Sequence, residues 1–211
     1  MNDFTAYCPY VNRPDLLERV IQACKADGIH LNVIDNSGEP CIPMTFSQSM
    51  NWEMRHAGLQ GIKFCLHMHS DAVIPEGDIT KLLEFARETD ERTKKWAVIY
   101  THYDILACYN PQAYLAVGGY DTNLPNYFSD NDWYRRCKLA GWELVQMVGH
   151  NVEHGVNGEG SQTINSDLRL KFLNGQTFPL YAEYYKKKWG GSPGHEVFRF
   201  PFNRPDLFGL G

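Results

Sequence analysis

Within IKFCLHMHSDAVIPEG, residues 62–77, an apolar run ends in His67, His69 and Asp71, three metal-ligand types at alternate positions, before Pro75 and Gly77 break the chain into a loop. Imidazole and carboxylate together suit a divalent cation. Side chains alternate along a strand, so Phe64, Leu66 and Met68 share one face while Cys65, His67 and His69 share the other. His69, Ser70 and Asp71 then fall where the strand runs out. Asp35 ends an earlier apolar run, IHLNVI, inside a turn-forming Asp-Asn-Ser-Gly cluster. Further on, FSDND puts Asp130 and Asp132 at a helix start, where carboxylates can act as bases or simply favour the helix dipole. The histidines can equally be strand residues satisfied by neighbours, a reading that suits His67 better.

Elements able to position these groups surround them. FTAYCPY reads as a strand that breaks at Asn12, a residue able to cap the next helix, with Pro14 suited to that helix's first turn. PDLLERVIQACKADG places Leu17, Val20, Ile21 and Cys24 on one helical face and stops at Gly28. IHLNVI is the second strand, SQSMNWEMRHAG a helix and IKFCLHMHSD the third strand. DITKLLEFARETDERT follows as a helix, then strands in KWAVIYTHYDILACYN, a short helix before Gly118 and Gly119, the helix DNDWYRRCKLAG and the strand WELVQMV. Strands alternating with helices predict an α/β fold with a mostly parallel central sheet. Ligands of such sheets bind beyond the carboxyl ends of the strands, so Asp35 and Asp71 are expected to border one site.

A chain of 211 residues, 43% of them hydrophobic, can bury a real core. Its net charge of -5 gives no general pull toward nucleic acid, although a local basic patch stays open. The six cysteines, with no C-x-x-C pair, read as buried thiols of a reducing compartment. No window is apolar over the roughly 18 residues of a membrane span, and MNDFTAYCPY has neither the basic nor the apolar region of a signal peptide. A cytoplasmic protein is the expectation.

YCPYVNRPDLLERVI, NVIDNSG, HSDAVIP, YNPQAYLAVGGYD, and YFSDNDWYRRCKLAGW followed by VEHG occur in the order and approximate spacing of the family 2 glycosyltransferases. The chain resembles that family over roughly residues 4–161. The resemblance implies a Rossmann-like GT-A domain that moves a sugar from a nucleotide-sugar donor, a UDP-sugar being the one to expect, to an acceptor hydroxyl. It implies a cytoplasmic enzyme, working in the host cytoplasm if phage-encoded. By the same resemblance Pro9, Tyr10, Asn12 and Arg13 lie beside the nucleotide, and Asp35 is the carboxylate that bonds the base; Asn12 also serves as a helix start and Asp35 as a turn residue. HSD matches the family's D-x-D motif, with Asp71 on the second acid, Ser70 between, and His69 replacing the first. That motif holds Mg²⁺ or Mn²⁺ against the donor diphosphate, and imidazole favours Mn²⁺.

His154 falls where family members often supply a further ligand; His150 competes, and its place nearer the strand suits packing. Asp130 matches the aspartate of an E-D motif, the base that takes the acceptor's proton, with Ser129 in place of the glutamate. Asp132 points to a different face and is expected to matter far less. Gly118 and Gly119 match a glycine pair that lets backbone approach donor sugar and acceptor, and equally read as a helix stop. The family's Arg-Asn pair before the third strand is here Met50 and Asn51. Arg55, one turn after Asn51 on the same face, is the residue left to reach phosphate.

Two other readings stand beside this one. HMHSD also fits the H-x-H-x-D signature of barrel hydrolases, but fewer than 150 residues follow it, against about 250 for a whole barrel. The altered D-x-D and E-D motifs also suit a non-catalytic nucleotide-sugar-binding module. The tail divides the chain into a transferase domain, 1–164, and a C-terminal helix and arm, 165–211. FPLYAEYYKKKWG reads as a helix packing its aromatics on the sheet with its lysines solvated, followed by an extended arm. Lys186, Lys187, Lys188, Arg199 and Arg204 among aromatics also suit nucleic acid or a phosphorylated glycan. Some phage enzymes similar to the family glycosylate hydroxymethylated DNA bases, which makes DNA one acceptor to expect; cell-surface glycans, proteins and small molecules stay open. If Asp35 contacts the nucleobase, Asp35→Ala will weaken nucleotide binding in calorimetry without lowering the melting temperature, and an unchanged affinity would return Asp35 to a turn role.

Overall fold

The structure, a computed structural model, describes residues 3–38 and 43–205. The first strand, β1 (Phe4–Tyr10), leads into α1 (Pro14–Ala26), whose opening proline has no N–H to leave unsatisfied. Asn12 does not cap this helix. Arg13 holds the cap position without a side-chain bond, while Asn12 adopts a left-handed φ of 49° and donates its backbone N–H to Ser37 Oγ at 3.0 Å. Asparagine tolerates that conformation better than most residues, so it turns the chain here instead of capping it. The buried face of α1 is Leu16, Val20 and Cys24, with Leu17 and Ile21 at its half-buried margin, a small rotation from the expected stripe.

After β2 (Leu31–Asp35) comes α2 (Phe46–Leu59), begun by a capping box between Thr45 and Gln48. Then follow β3 (Phe64–Met68), β4 (Ala72–Val73), α3 (Asp78–Arg92), the hairpin β5 (Trp96–Tyr100) and β6 (Leu106–Tyr109), and α4 (Pro111–Val117). The chain continues through α5 (Ser129–Leu139), β7 (Glu143–Gln146), β8 (Glu153–His154), α6 (Gln162–Ser166) and α7 (Leu168–Trp189).

Six strands form one sheet in the order β2-β1-β3-β6-β5-β7, parallel except for β6. The expected alternation along β3 sorts the two faces. Phe64, Leu66 and Met68 pack with Val20 and Cys24 of α1 and with Ile79, Leu82 and Ala86 of α3. Cys65 faces the other layer, where Met50 and Met54 of α2, Ala113 of α4 and Trp133 of α5 lie. Among the described residues the result is an open three-layer α/β sandwich, with no barrel for an H-x-H-x-D hydrolase site. Among the described residues no helix is long and apolar enough to cross a membrane. Cys8, Cys24, Cys65, Cys108 and Cys137 are free and buried, as expected; Cys41 lies outside the described residues.

The C-terminal helix departs from its sequence reading. It begins at Leu168 and passes through Pro179. The bond that proline cannot donate would go to Gly175, an exposed residue. Its aromatics do not pack on the sheet: Tyr185 and Trp189 pack with Leu124 and Phe128, against the start of α5. Nor is every lysine solvated. Lys188 is buried, with Nζ 2.6 Å from Asp132 and 2.7 Å from Asp121.

Asp132 itself is fully buried and also accepts hydrogen bonds from Trp189 Nε1 at 2.9 Å and Arg136 Nε at 3.0 Å. Far from being a spare cap, it joins two helices. Removing one member of a buried ion pair strands the other charge, at a cost of about 3–5 kcal/mol. Urea denaturation of Lys188→Ala should show a loss of that order, whereas Lys187→Ala, which removes an exposed pair with Glu183, should cost under about 1 kcal/mol.

Candidate active site

The polar end of β3 is held by two short pairings. His69 donates its backbone N–H to the Ile105 carbonyl at 2.9 Å, carrying β3 on toward the β5–β6 turn. Beyond it, β4 pairs antiparallel with β8, so Ala72 stands opposite His154 and Gly155 N–H reaches the Asp71 carbonyl at 3.0 Å. Gly155 has a φ of 73°, and a Cβ there would lie 2.5 Å from the Gly160 carbonyl, so a side chain would break this turn.

This ladder brings His154 to Asp71, the convergence anticipated from the motifs. His154 Nε2 lies 3.5 Å from Asp71 Oδ1, and His69 Nδ1 lies 4.0 Å from the same oxygen. The other carboxylate oxygen points away and accepts from Gln162 N at 2.9 Å, Thr163 N at 3.3 Å and Ser161 Oγ at 3.3 Å, the start of α6. Burial works to raise the Asp71 pKa, but the His154 imidazole 3.5 Å away, the electrostatic influence of His69 and the Thr163 N–H outweigh it and hold the carboxyl well below the usual range. Burial and the neighbouring imidazoles of His67 and His154 lower His69 to about 4, so its ring is neutral at pH 7.

These residues fit a divalent cation. One ligand atom from each of His69, Asp71 and His154 lies within 4.8 Å of the others, and metal–ligand bonds of about 2.0–2.6 Å allow ligand separations up to about twice that length. Moreover, His69 Nε2 and His154 Nε2 are buried without a hydrogen-bond partner. His67 is placed differently. It is fully buried beneath His69, with Nδ1 2.9 Å from Glu53 Oε2 of α2, so a neighbour satisfies one ring nitrogen as expected, while its Nε2 is also buried without a hydrogen-bond partner.

The residues expected around the donor lie at the ends of β1 and β2. Pro9 and Tyr10 are half-buried, and Tyr10 accepts from Asn36 N–H at 2.8 Å. Asp35 is exposed, and hydrogen bonds from Ser37 hold its pKa below the usual value. Arg13 forks onto Asp15 at 2.7 and 2.8 Å. Asn12 and Arg13 form one wall of a cleft of about 400 Å³ whose other wall is Thr163, Asp167 and Arg169, from α6 and the start of α7. Thr163 also caps Asp71, so this cleft borders the histidine cluster. Ser70 is buried between the two ligands.

Asn51 holds the Tyr120 backbone from both sides, accepting its N–H at 2.6 Å and donating to its carbonyl at 3.0 Å. A Cβ on Gly119 would lie 2.5 Å from Asn51 Oδ1, so the close approach this glycine permits is to α2. Gly118, with a φ of 80°, ends α4 and accepts from Arg136. Burial raises the Tyr114 hydroxyl of α4, opposed by the charges of Arg55, which is exposed on α2, and of Arg136. His150 accepts from Val152 N–H at 3.2 Å, a local turn contact.

Asp130 opens α5, directly after Phe128 and Ser129, and Phe128 carries a left-handed φ of 65°. Burial, then the negative charge of Asp104, push the Asp130 carboxyl up to about 7. Asp104 was not anticipated. It follows Tyr103, another left-handed residue at φ 51°, in the β5–β6 turn, and its Oδ1 lies 3.8 Å from His69 Nε2. An aspartate in a hairpin turn is ordinary turn chemistry, so nothing in the sequence marks it. Asp104 and Asp130 share a second cleft, of about 420 Å³.

No protein-family model matches the chain, and no curated protein matches it either. Solved structures do. S. aureus TarS, residues 1–349, superposes with a TM-score of 0.51 at 9% identity, over 68% of this chain and 57% of that one. The catalytic domain of Drosophila β1,4-galactosyltransferase 7, in complex with xylobiose, gives 0.48 at 12% identity over 70% and 66%. A glycosyltransferase involved in the glycosylation of the major capsid of PBCV-1 gives 0.37 at 11% identity over 54% and 62%. The fold is GT-A. At these identities the likeness is one of fold. The chain spans 66%, 62% and 57% of the Drosophila, PBCV-1 and TarS chains respectively, so their activities do not transfer with it.

If the cluster holds a cation, Mn²⁺ will raise the melting temperature and chelation will reverse the rise; a cation at 100 times its Kd stabilises by about 2.7 kcal/mol. Asp71→Asn and His154→Ala should each abolish the shift and the calorimetric Mn²⁺ signal. An undiminished Mn²⁺ signal in both variants would remove the site.

Proposed function

We propose that this chain is a metal-dependent glycosyltransferase that moves a sugar from a nucleotide donor, a UDP-sugar first among them, to an acceptor hydroxyl. The observation that carries the reading is the convergence of His69, Asp71 and His154 between two clefts, one at the end of β1 and one containing Asp130. The GT-A fold supports it, and a nucleotide-sugar-binding module without turnover remains the competing outcome of the tests below.

In this reading the first cleft receives the nucleotide, with Asn12, Arg13 and Arg169 beside it and Asp35 at the base. His69, Asp71 and His154 would hold the cation. Mn²⁺ or Mg²⁺ bound there would offset the charge that gathers on the diphosphate as it leaves. Asp130 takes the proton from the acceptor hydroxyl, whose oxygen forms the new bond to the anomeric carbon as the bond to the diphosphate breaks and the diphosphate departs with the electron pair. Asn51, through Tyr120, and Arg136, through Gly118 and Gly119, fix the loop that lies between α4 and α5.

The basic tail does not favour DNA as the acceptor. Lys188 is committed to Asp121 and Asp132, and Arg135 of α5 is bonded to the Phe198 carbonyl of the arm. Five buried free thiols support a reducing compartment. A panel of nucleotide sugars, assayed with Mn²⁺ for binding and slow hydrolysis, tests the class and names the donor; binding without hydrolysis or transfer would make the chain a binding module.

The raised pKa of Asp130 fixes the pH dependence. Below about pH 7 the carboxyl already carries a proton, so transfer should rise with pH through about 7 and then level off. The folded protein holds this proton more tightly than the unfolded chain, whose aspartates titrate near 3.9, so Asp130 costs stability as pH climbs between those values. Asp130→Asn should therefore melt higher than the parent at pH 8 while losing about 10²- to 10⁴-fold in transfer with donor binding retained. A loss below tenfold, or an unmoved pH profile, would take the base assignment away from Asp130.

A further inference from the structure

The cleft containing Asp104 and Asp130 has two chemically different ends. At the inner end are the two carboxylates, beside His69 of the cluster. Asp130, Tyr134 and Lys138 then follow at four-residue intervals on one side of α5, with Arg135 adjoining, and all four line the cleft. At 1.5 Å of helix rise per residue, Arg135 sits about 7 Å and Lys138 about 12 Å beyond Asp130.

Among the described residues neither cation has a carboxylate within 4.0 Å, although Arg135 is near enough to Glu196 for its charge to help lower that carboxyl's pKa, so Lys138 is the less compensated of the two. Arg135 is held in place by its bond to the Phe198 carbonyl at 3.0 Å and by the Trp189 ring, 6.0 Å from its guanidinium carbon, yet its Nε is buried with no hydrogen-bond partner. Lys138 is exposed at the last turn of α5. Tyr103 and Tyr134 line the passage between the two ends, offering flat apolar faces with polar edges. The outer wall is Gly194 and Glu196 of the C-terminal segment, anchored by Tyr185 Oη donating to Glu196 at 2.6 Å and by Val197 and Phe198 N–H groups on the Trp189 carbonyl.

Resting on the transferase reading above, we propose that this cleft binds the acceptor, and that the acceptor is a saccharide carrying an anionic group, carboxylate or phosphate, roughly 7–12 Å from the hydroxyl that is glycosylated. Carboxylates at the inner end accept from hydroxyls and repel an anion. Cations at the outer end attract it, so the polarity of the cleft sets the direction in which the sugar enters. A volume of about 420 Å³ lies in the range of small-molecule sites, and the wall formed by the C-terminal segment suits a glycan end better than a duplex. The arm thereby gains a role in acceptor selection through its backbone, without its basic side chains.

The test uses the ¹⁵N-labelled full chain. Glucuronate, glucose 6-phosphate, neutral methyl glucoside and an oligonucleotide containing hydroxymethylcytosine are titrated separately, with shifts of the Asn131, Arg135 and Lys138 amides and calorimetric affinity as readouts. At least one anionic sugar should move these amides and bind about tenfold or more tighter than methyl glucoside, since a hydrogen bond to a charged group is worth that factor. Response to glucuronate, to glucose 6-phosphate or to both tells carboxylate from phosphate. Lys138→Glu should erase most of the preference. Equal binding of neutral and anionic sugars, no effect of Lys138→Glu, a stronger response to the oligonucleotide, or no response to any of the four would each overturn the proposal. Nucleotide-sugar calorimetry on the same sample separates the two failures: donor binding without an anionic-sugar response defeats only the acceptor assignment, whereas absent donor binding defeats the transferase reading and this one with it.

Discussion

Asp71 uses its two oxygens in opposite directions, and the arrangement of the site follows from that. Oδ2 receives the first N–H groups of α6, while Oδ1 faces His69 and His154. One carboxylate thus joins the end of β3, the β4–β8 ladder and the segment that walls the cleft at the end of β1. A buried carboxylate without these donors would be driven toward its neutral form, and the cluster would lose its only anionic member.

The helix α5 makes a comparable division with two residues. Asp130 lies at the edge of an open cleft with its pKa raised, whereas Asp132 turns inward to Arg136, Lys188 and Trp189. Arg136 in turn holds the carbonyls of Val117, Gly118 and Gly119. The glycine loop is therefore positioned from α5 on one side and from Asn51 on the other. Left-handed Phe128 and Tyr103 precede Asp130 and Asp104 in their loops, which places backbone strain of about 1–3 kcal/mol each beside the two carboxylates of the cleft.

Much of the scaffold is legible in the sequence because period-2 and period-3.6 patterns report burial directly. The alternation along β3 and the order of strands and helices are examples, and the turn at Gly28 another. What escapes is set by partners far away in the chain. The β4–β8 ladder is two residues long on each side, too short to leave a pattern, so only the family resemblance pointed to His154. Asp132 meets Trp189 across 57 positions, and no local rule separates it from a capping residue. Lys188 left no trace either: Lys186, three residues before Trp189, and Lys188, three after Tyr185, flank the buried aromatic face at equal angles, and only the distant carboxylates select Lys188. The Thr45–Gln48 capping box, by contrast, was readable, two residues before the expected helix start.

The ties between α5 and the end of α7 bear on how the protein is made. Asp132 is buried, and two of its partners, Lys188 and Trp189, come from residues synthesised more than fifty positions later. At a ribosome that delivers about 5–20 residues each second, several seconds pass in which Arg136 is the one partner of this carboxylate that has been made, and the oxygen that Lys188 and Trp189 will bond has neither of them. During this interval α5 has no reason to dock with Asp132 facing inward, and Arg136 has no fixed place from which to grip the glycine loop. The scaffold can form early on the nascent chain, but the chemistry it carries assembles only once α7 has emerged.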